Sequence, residues 1–127
     1  CLNMNLKKGA SILLVEDEAQ LREVMAEELR DMGYRVEEAE SGVKAVVALS
    51  QDFDLLLTDI RMAGNVSGWD LAEAARRIQP DIEVIYMSGY SSELPKRVDR
   101  SVFLTKPCTV GQILSMMTCC SGQQGAC

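Results

Sequence analysis

"LLLTDIRMAG" (Leu55–Gly64) places three leucines and a threonine directly before Asp59. A run with so little polar alternation suits a strand covered on both faces, as in a parallel sheet. A carboxylate at the end of such a strand is costly to bury unless something nearby answers its charge. Asp59 therefore reads as the reactive group of the molecule.

Other short stretches share the character of "DLLLT" (54–58). They are "SILLV" (11–15), "YRVEEA" (34–39), "EVIYM" (83–87) and "VFLT" (102–105). Helical patterns lie between them. Leu21, Met25, Leu29 and Met32 recur at helical spacing, and this helix should stop near Gly33. Val43, Val46 and Val47 mark the apolar face of a second helix. Leu71, Ala74, Ala75 and Ile78 mark a third, opened by the capping-box pattern Ser67-Gly-Trp-Asp70 and closed before Pro80. Val110, Ile113, Leu114 and Met117 mark the last. The stretch "SSELPKRVDR" (91–100) has no apolar stripe and reads as a short, ragged helix. "SGQQGAC" (121–127) reads as a polar tail.

Alternating strands and helices in 127 residues imply one domain. The expected fold is α/β: a doubly wound, five-stranded parallel sheet with helices on both faces. Such sheets bind ligands beyond the carboxyl ends of their strands, where strand order reverses.

The composition narrows the function. A formal net charge of −6 would repel nucleic-acid phosphates. The longest apolar runs fall far short of a membrane span. The opening "CLNMNLKKGA" lacks the apolar core of a signal peptide. Five cysteines without a CxxC pattern, and no histidine, argue against zinc and suit a reducing cytosol. Cys108 and Cys119 read as small core residues. The absence of histidine also removes Ser-His and Cys-His catalysis.

The strand ends carry the chemistry. Strand one ends in Glu16-Asp17, strand three in Asp59, strand four in Ser88-Gly89 and strand five in Lys106-Pro107. In the order 2-1-3-4-5, Glu16, Asp17 and Asp59 converge. Two unit charges about 4 Å apart repel by roughly 4 kcal/mol at an effective dielectric of about 20. A cation in the pocket, or protonation of one carboxylate, would relieve this. An all-oxygen site favours a hard ion, Mg²⁺ over Zn²⁺. Lys106 is placed to pair with Asp59 or with an anion bound there. An aspartate beside Mg²⁺, a lysine and a hydroxyl is what phosphoryl transfer to Asp requires. Gly89 would leave room for a bulky donor. Taken singly, Asp17 could be a helix N-cap, Lys106 a solvated lysine, and Ser88 and Asp59 turn residues. Four strand ends with fitting groups together favour a site.

This constellation resembles the response-regulator receiver domain, the CheY-like family. The resemblance is carried by "ILLVEDE" with Glu16-Asp17, "LLLTDIRM" with Asp59, "VIYMSGY" with Ser88 and "FLTKP" with Lys106. It covers residues 11–120, leaving 1–10 as an extension and 121–127 as a tail. It implies that Asp59 is the phosphoacceptor. It implies that Asp17 coordinates Mg²⁺, that the backbone carbonyl of Arg61 is another ligand, and that Glu16 reaches the metal through water. Ser88 and Phe103 would be the switch pair, and Lys106-Pro107 a cis bond. The donor would be a phosphohistidine on a sensor histidine kinase or a histidine phosphotransfer domain, in the cytoplasm.

The chain departs from that pattern in places. Ala63 stands where proline is usual, so the loop after Asp59 loses a rigid φ. "GNVSGW" is one residue longer than in common single-domain receivers. With "MSGY" it is similar to receivers of hybrid histidine kinases. Cys108 replaces a common aromatic, which puts the packing at the top of the last helix in doubt. A haloacid-dehalogenase-like phosphatase needs a second Asp where this chain has Arg61. A flavodoxin needs a glycine- and hydroxyl-rich loop where this chain has "EDEAQ". The remaining rival is a receiver-like docking module that takes no phosphate.

Overall fold

The computed structural model describes residues 9–62, 64, 66–88, 98–106 and 108–118, with side chains of the last helix as far as Met116. Its elements are β1 (Ser11–Val15), α1 (Ala19–Asp31), β2 (Arg35–Ala39), α2 (Gly42–Ala48), β3 (Leu55–Asp59), α3 (Gly68–Ile78), β4 (Glu83–Ser88), β5 (Ser101–Thr105) and α4 (Val110–Thr118). The five strands form one sheet in the order β2-β1-β3-β4-β5, every neighbouring pair parallel. Strand order reverses between β1 and β3, where the acidic residues were expected to meet.

The period of two along each strand divides the core into two layers. Leu13, Val15, Leu56, Val84 and Tyr86 face α2 and α3. Ile12, Leu14, Leu55, Leu57, Ile85 and Met87 face α1 and α4. The central strands β3 and β4 are therefore apolar on both sides. β2 lies at an edge, and its residues alternate between exposed and half-buried until Ala39.

Local chemistry sets the helix ends. Gly33 takes φ 99°, a conformation that favours glycine, and its N–H donates to the Arg30 carbonyl as α1 ends. Ser67 and Asp70 form the expected reciprocal cap on α3. Thr109 and Gln112 make a similar exchange at the start of α4: each backbone N–H donates to the other's side chain.

Three apolar stripes are corrected. In α2, Val43 and Val47 are 57% and 71% exposed, and the buried residues are Gly42, Ala45 and, at the C-cap, Leu49. The cause is close approach. A Cβ on Gly42 would lie 2.6 Å from the Val66 carbonyl oxygen, so only a small residue fits there. The helix seats its small face, and the valines turn outward. Met32 and Ile78 likewise end their stripes in solvent. The ragged helix expected over 91–100 falls mostly outside the described residues, as do Cys119 and the tail. Residues 98–100 are irregular, with Arg100 at φ 56°.

The exposed valines carry a prediction. Val43→Ser and Val47→Ser should each change stability by no more than about 0.5 kcal/mol in urea unfolding, as for surface sites. A loss of about 2 kcal/mol would mean that these side chains are packed after all.

Candidate functional site

The sheet register brings the strand ends together. Val15 pairs with Thr58, so Glu16 continues β1 beside Asp59. Asp59 pairs with Met87, so Ser88 lies one step further along β4. Ser88 pairs with Thr105, and the Lys106 N–H donates to the Ser88 carbonyl at 2.6 Å. Glu16, Asp59 and Ser88 are all buried.

Lys106 reaches across two strands. Its Nζ donates to Glu16 Oε1 and to Asp59 Oδ2, both at 2.9 Å. One ammonium thus answers two nearly buried carboxylates. Burial pulls the ammonium down. Its hydrogen bonds and charge contacts with Asp59 and Glu16 outweigh this and hold it at about 12. Burial pushes the Glu16 carboxyl above its ordinary value, opposed by the Lys106 hydrogen bond and reinforced by the Asp59 charge. The sequence suggested Lys106 against Asp59. It did not suggest Lys106 against Glu16, a contact across 90 residues with no local signal.

Asp17 is exposed beside this pair. The N-cap position of α1 is Glu18, one residue after Asp17, and Glu18 makes no side-chain capping bond. Oxygens of Glu16, Asp17 and Asp59 all lie within 4.8 Å of one another. Three carboxylates against one ammonium leave net negative charge. Their donors are all oxygen, so the cluster suits a hard divalent cation such as Mg²⁺.

Phe103 is half-buried on β5, opposite Tyr86, and packs against the α2–α3 layer. Arg61 is exposed just beyond Asp59. Gly89 and Pro107 lie outside the described residues. Cys108 is half-buried, and burial pushes its thiol up. With Leu21, Met25, Met87 and Lys106 it lines a cavity of about 300 Å³, where the replaced aromatic had put packing in doubt. Arg22, whose spacing places it off the apolar face of α1, has its guanidinium 2.9 Å from the Glu16 carbonyl, a contact with no signal in the sequence.

Residues 12–118 match the model of the response regulator receiver domain. The chain is 34% identical over 116 residues to the sensor kinase CckA of Brucella abortus, covering 86% of this chain and 12% of that protein. It thus spans a small part of that relative. Among solved structures, a response regulator receiver protein from Sinorhizobium medicae is 33% identical with a TM-score of 0.81. That match covers 87% of this chain and 92% of the other. The response regulator TrrA of Thermotoga maritima, solved in complex with Mg²⁺ and BeF, is 31% identical with a TM-score of 0.72. It covers 84% of this chain and 95% of the other.

Proposed function

The chain belongs to the response regulator receiver domain family, and on that premise we propose that Asp59 accepts a phosphoryl group from a phosphohistidine donor. The observation that carries the proposal is the Lys106 ammonium held 2.9 Å from Asp59 inside a three-carboxylate cluster. Asp17, Asp59 and the Arg61 carbonyl would hold Mg²⁺, with Glu16 acting through water. The ion would neutralise charge on the phosphoryl oxygens.

The remaining steps use the chain's own groups. A carboxylate oxygen of Asp59 attacks phosphorus in line. The O–P bond forms as the N–P bond to the donor imidazole breaks, and the imidazole leaves neutral, keeping the proton already on its other ring nitrogen. Lys106 moves its hydrogen bond from the bare carboxylate to a phosphoryl oxygen. Ser88 donates to another. Water later cleaves the acyl phosphate and restores Asp59. The donor would be a sensor histidine kinase or a histidine phosphotransfer domain, in the cytoplasm. The similarity to CckA, whose solved receiver domain comes from a hybrid histidine kinase, supports a place within such a kinase. Among the described residues no helix is long and apolar enough to cross a membrane.

Incubation with acetyl phosphate and Mg²⁺ should add one phosphate by intact mass. Asp59→Asn should add none, and chelation of the metal should suppress the reaction. Unchanged uptake in Asp59→Asn would reject the assignment. No uptake by the wild-type protein would favour the docking-module reading.

The phosphoryl group would also be read out. Ser88 moves toward it, and Phe103 turns into the space behind β4. The size of the shift is bounded by how much better phosphate binds the switched state. Hydrogen exchange with a beryllofluoride mimic should change over residues 98–106. Changes confined to the Asp59 loop would instead describe a phosphate carrier.

A further inference from the structure

Arg22 sits on α1, five residues after Asp17. A cation this near a helix N-terminus opposes the helix dipole, so α1 gains nothing from its charge. Yet its side chain is only 14% exposed. Nη1 donates to the Glu16 carbonyl at 2.9 Å. Nε donates to Glu38 on β2 at 3.4 Å. Glu38 is held in turn: its other oxygen accepts from Arg30 Nη1 at 3.1 Å, and Arg30 Nη2 donates to the Val36 carbonyl at 2.7 Å.

These bonds converge on one residue, Glu16, and hold the peptide groups on either side of it. The Glu16 N–H donates to the Ala39 carbonyl at 3.1 Å, and the Glu16 carbonyl is taken by Arg22. The Glu16 carboxylate is fixed separately, by Lys106 and by the Glu18 N–H at 3.2 Å. The Glu16 carbonyl belongs to the peptide that joins Glu16 to Asp17. Its orientation sets the direction of the Asp17 side chain. The nearest partner of the guanidinium is this carbonyl, so its action is geometric more than electrostatic.

We propose that Arg22 is a positioning residue for the acidic pocket: held by Glu38, it fixes the Glu16–Asp17 peptide and aims Asp17 into the cluster with Glu16 and Asp59. This rests on reading that cluster as a divalent-cation site. Groups of this kind behind metal ligands typically change affinity 10–100-fold. A lysine would keep the charge but not the planar fork that spans the Glu16 carbonyl and Glu38.

The test is Mg²⁺ titration calorimetry on the wild type, Arg22→Lys, Arg22→Met and Asp17→Ala, beside thermal midpoints in EDTA. Arg22→Met and Arg22→Lys should each weaken Mg²⁺ binding about tenfold or more. The Arg22→Lys midpoint in EDTA should stay close to that of the wild type. Wild-type affinity in either Arg22 variant would overturn the proposal. So would a loss of affinity in Arg22→Lys matched by an equally large loss of metal-free stability, which would make the role merely structural. Failure of the wild type itself to bind Mg²⁺ would remove the cation-site reading, and the Arg22 role with it. Loss in Asp17→Ala with no loss in the Arg22 variants would keep that reading and reject Arg22 alone.

Discussion

Lys106→Met is expected to lower stability by about 2–3 kcal/mol at pH 8 without metal, and to suppress phosphoryl uptake by orders of magnitude. Removing one partner of a buried ion pair costs about 3–5 kcal/mol, because the other charge stays buried alone. Lys106 is 24% exposed, and solvent screening brings the cost to the bottom of that range or just below it. The cost should depend on pH. In the wild type the Lys106 contribution is fully present below its ordinary value of 10.5 and is lost only as pH rises through about 12. It is therefore constant from pH 5 to pH 8. The Glu16 carboxyl already sits above its ordinary 4.5 through burial. Without the Lys106 hydrogen bond it rises further. A raised carboxyl stabilises the fold when protonated, and that contribution is lost as pH rises through the folded value. The variant's deficit should therefore shrink as pH falls toward 4.5, and Mg²⁺ should offset part of it at pH 8. Urea unfolding at pH 5 and pH 8, with and without Mg²⁺, measures this. An equal deficit in all four conditions would mean that the three charges are not coupled.

Gly68→Ala should have an effect of similar size by a different route. A Cβ there would collide with the Asp59 carbonyl oxygen and lie 2.8 Å from the Ile60 Cα. These are backbone atoms, which cannot swing aside as a side chain can. Overpacking of this kind costs about 1–3 kcal/mol, and occasionally more. The Gly68 N–H also donates to the Ile60 carbonyl at 2.9 Å. Displacing α3 thus displaces the end of β3 that carries Asp59, the proposed phosphoacceptor, and phosphoryl uptake should fall with stability. Gly111→Ala is the control. Its nearest neighbour would be the Thr109 hydroxyl at 3.5 Å. Alanine within a helix is favoured over glycine by about 0.5–1 kcal/mol. Equal stability changes in the two variants would reject the close approach at Gly68.

The sheet and the site were legible for one reason. Central strands of a parallel sheet are continuous apolar runs, and the polar residue that ends each run stands out. Leu55–Leu57 before Asp59, and Val84–Met87 before Ser88, are such runs. The Ser67–Asp70 cap was legible because its chemistry is confined to four residues. The face of α2 was misread because helical spacing scores apolar side chains, while the seat of this helix is set by backbone clearance at Gly42. Contacts between distant residues left no periodic trace. The fork of Arg22 to Glu16 and Glu38 is one. The ring contact of Trp69 with Tyr86, centroids 4.7 Å apart, is another. So is Arg76, which donates to the carbonyls of Ile82, Asp99 and Arg100 and pins the approach to β5. Each depends on the sheet already being formed.

Asp59 as the phosphoacceptor is tested most directly by chemical mapping of the acyl phosphate. The protein is treated with acetyl phosphate and Mg²⁺, then with borohydride, which reduces an aspartyl phosphate to homoserine. Tandem mass spectrometry of the peptides then locates the homoserine. It should appear at position 59 alone and disappear when Mg²⁺ is withheld. Homoserine at position 17, or phosphate retained with no homoserine at position 59, would contradict the assignment.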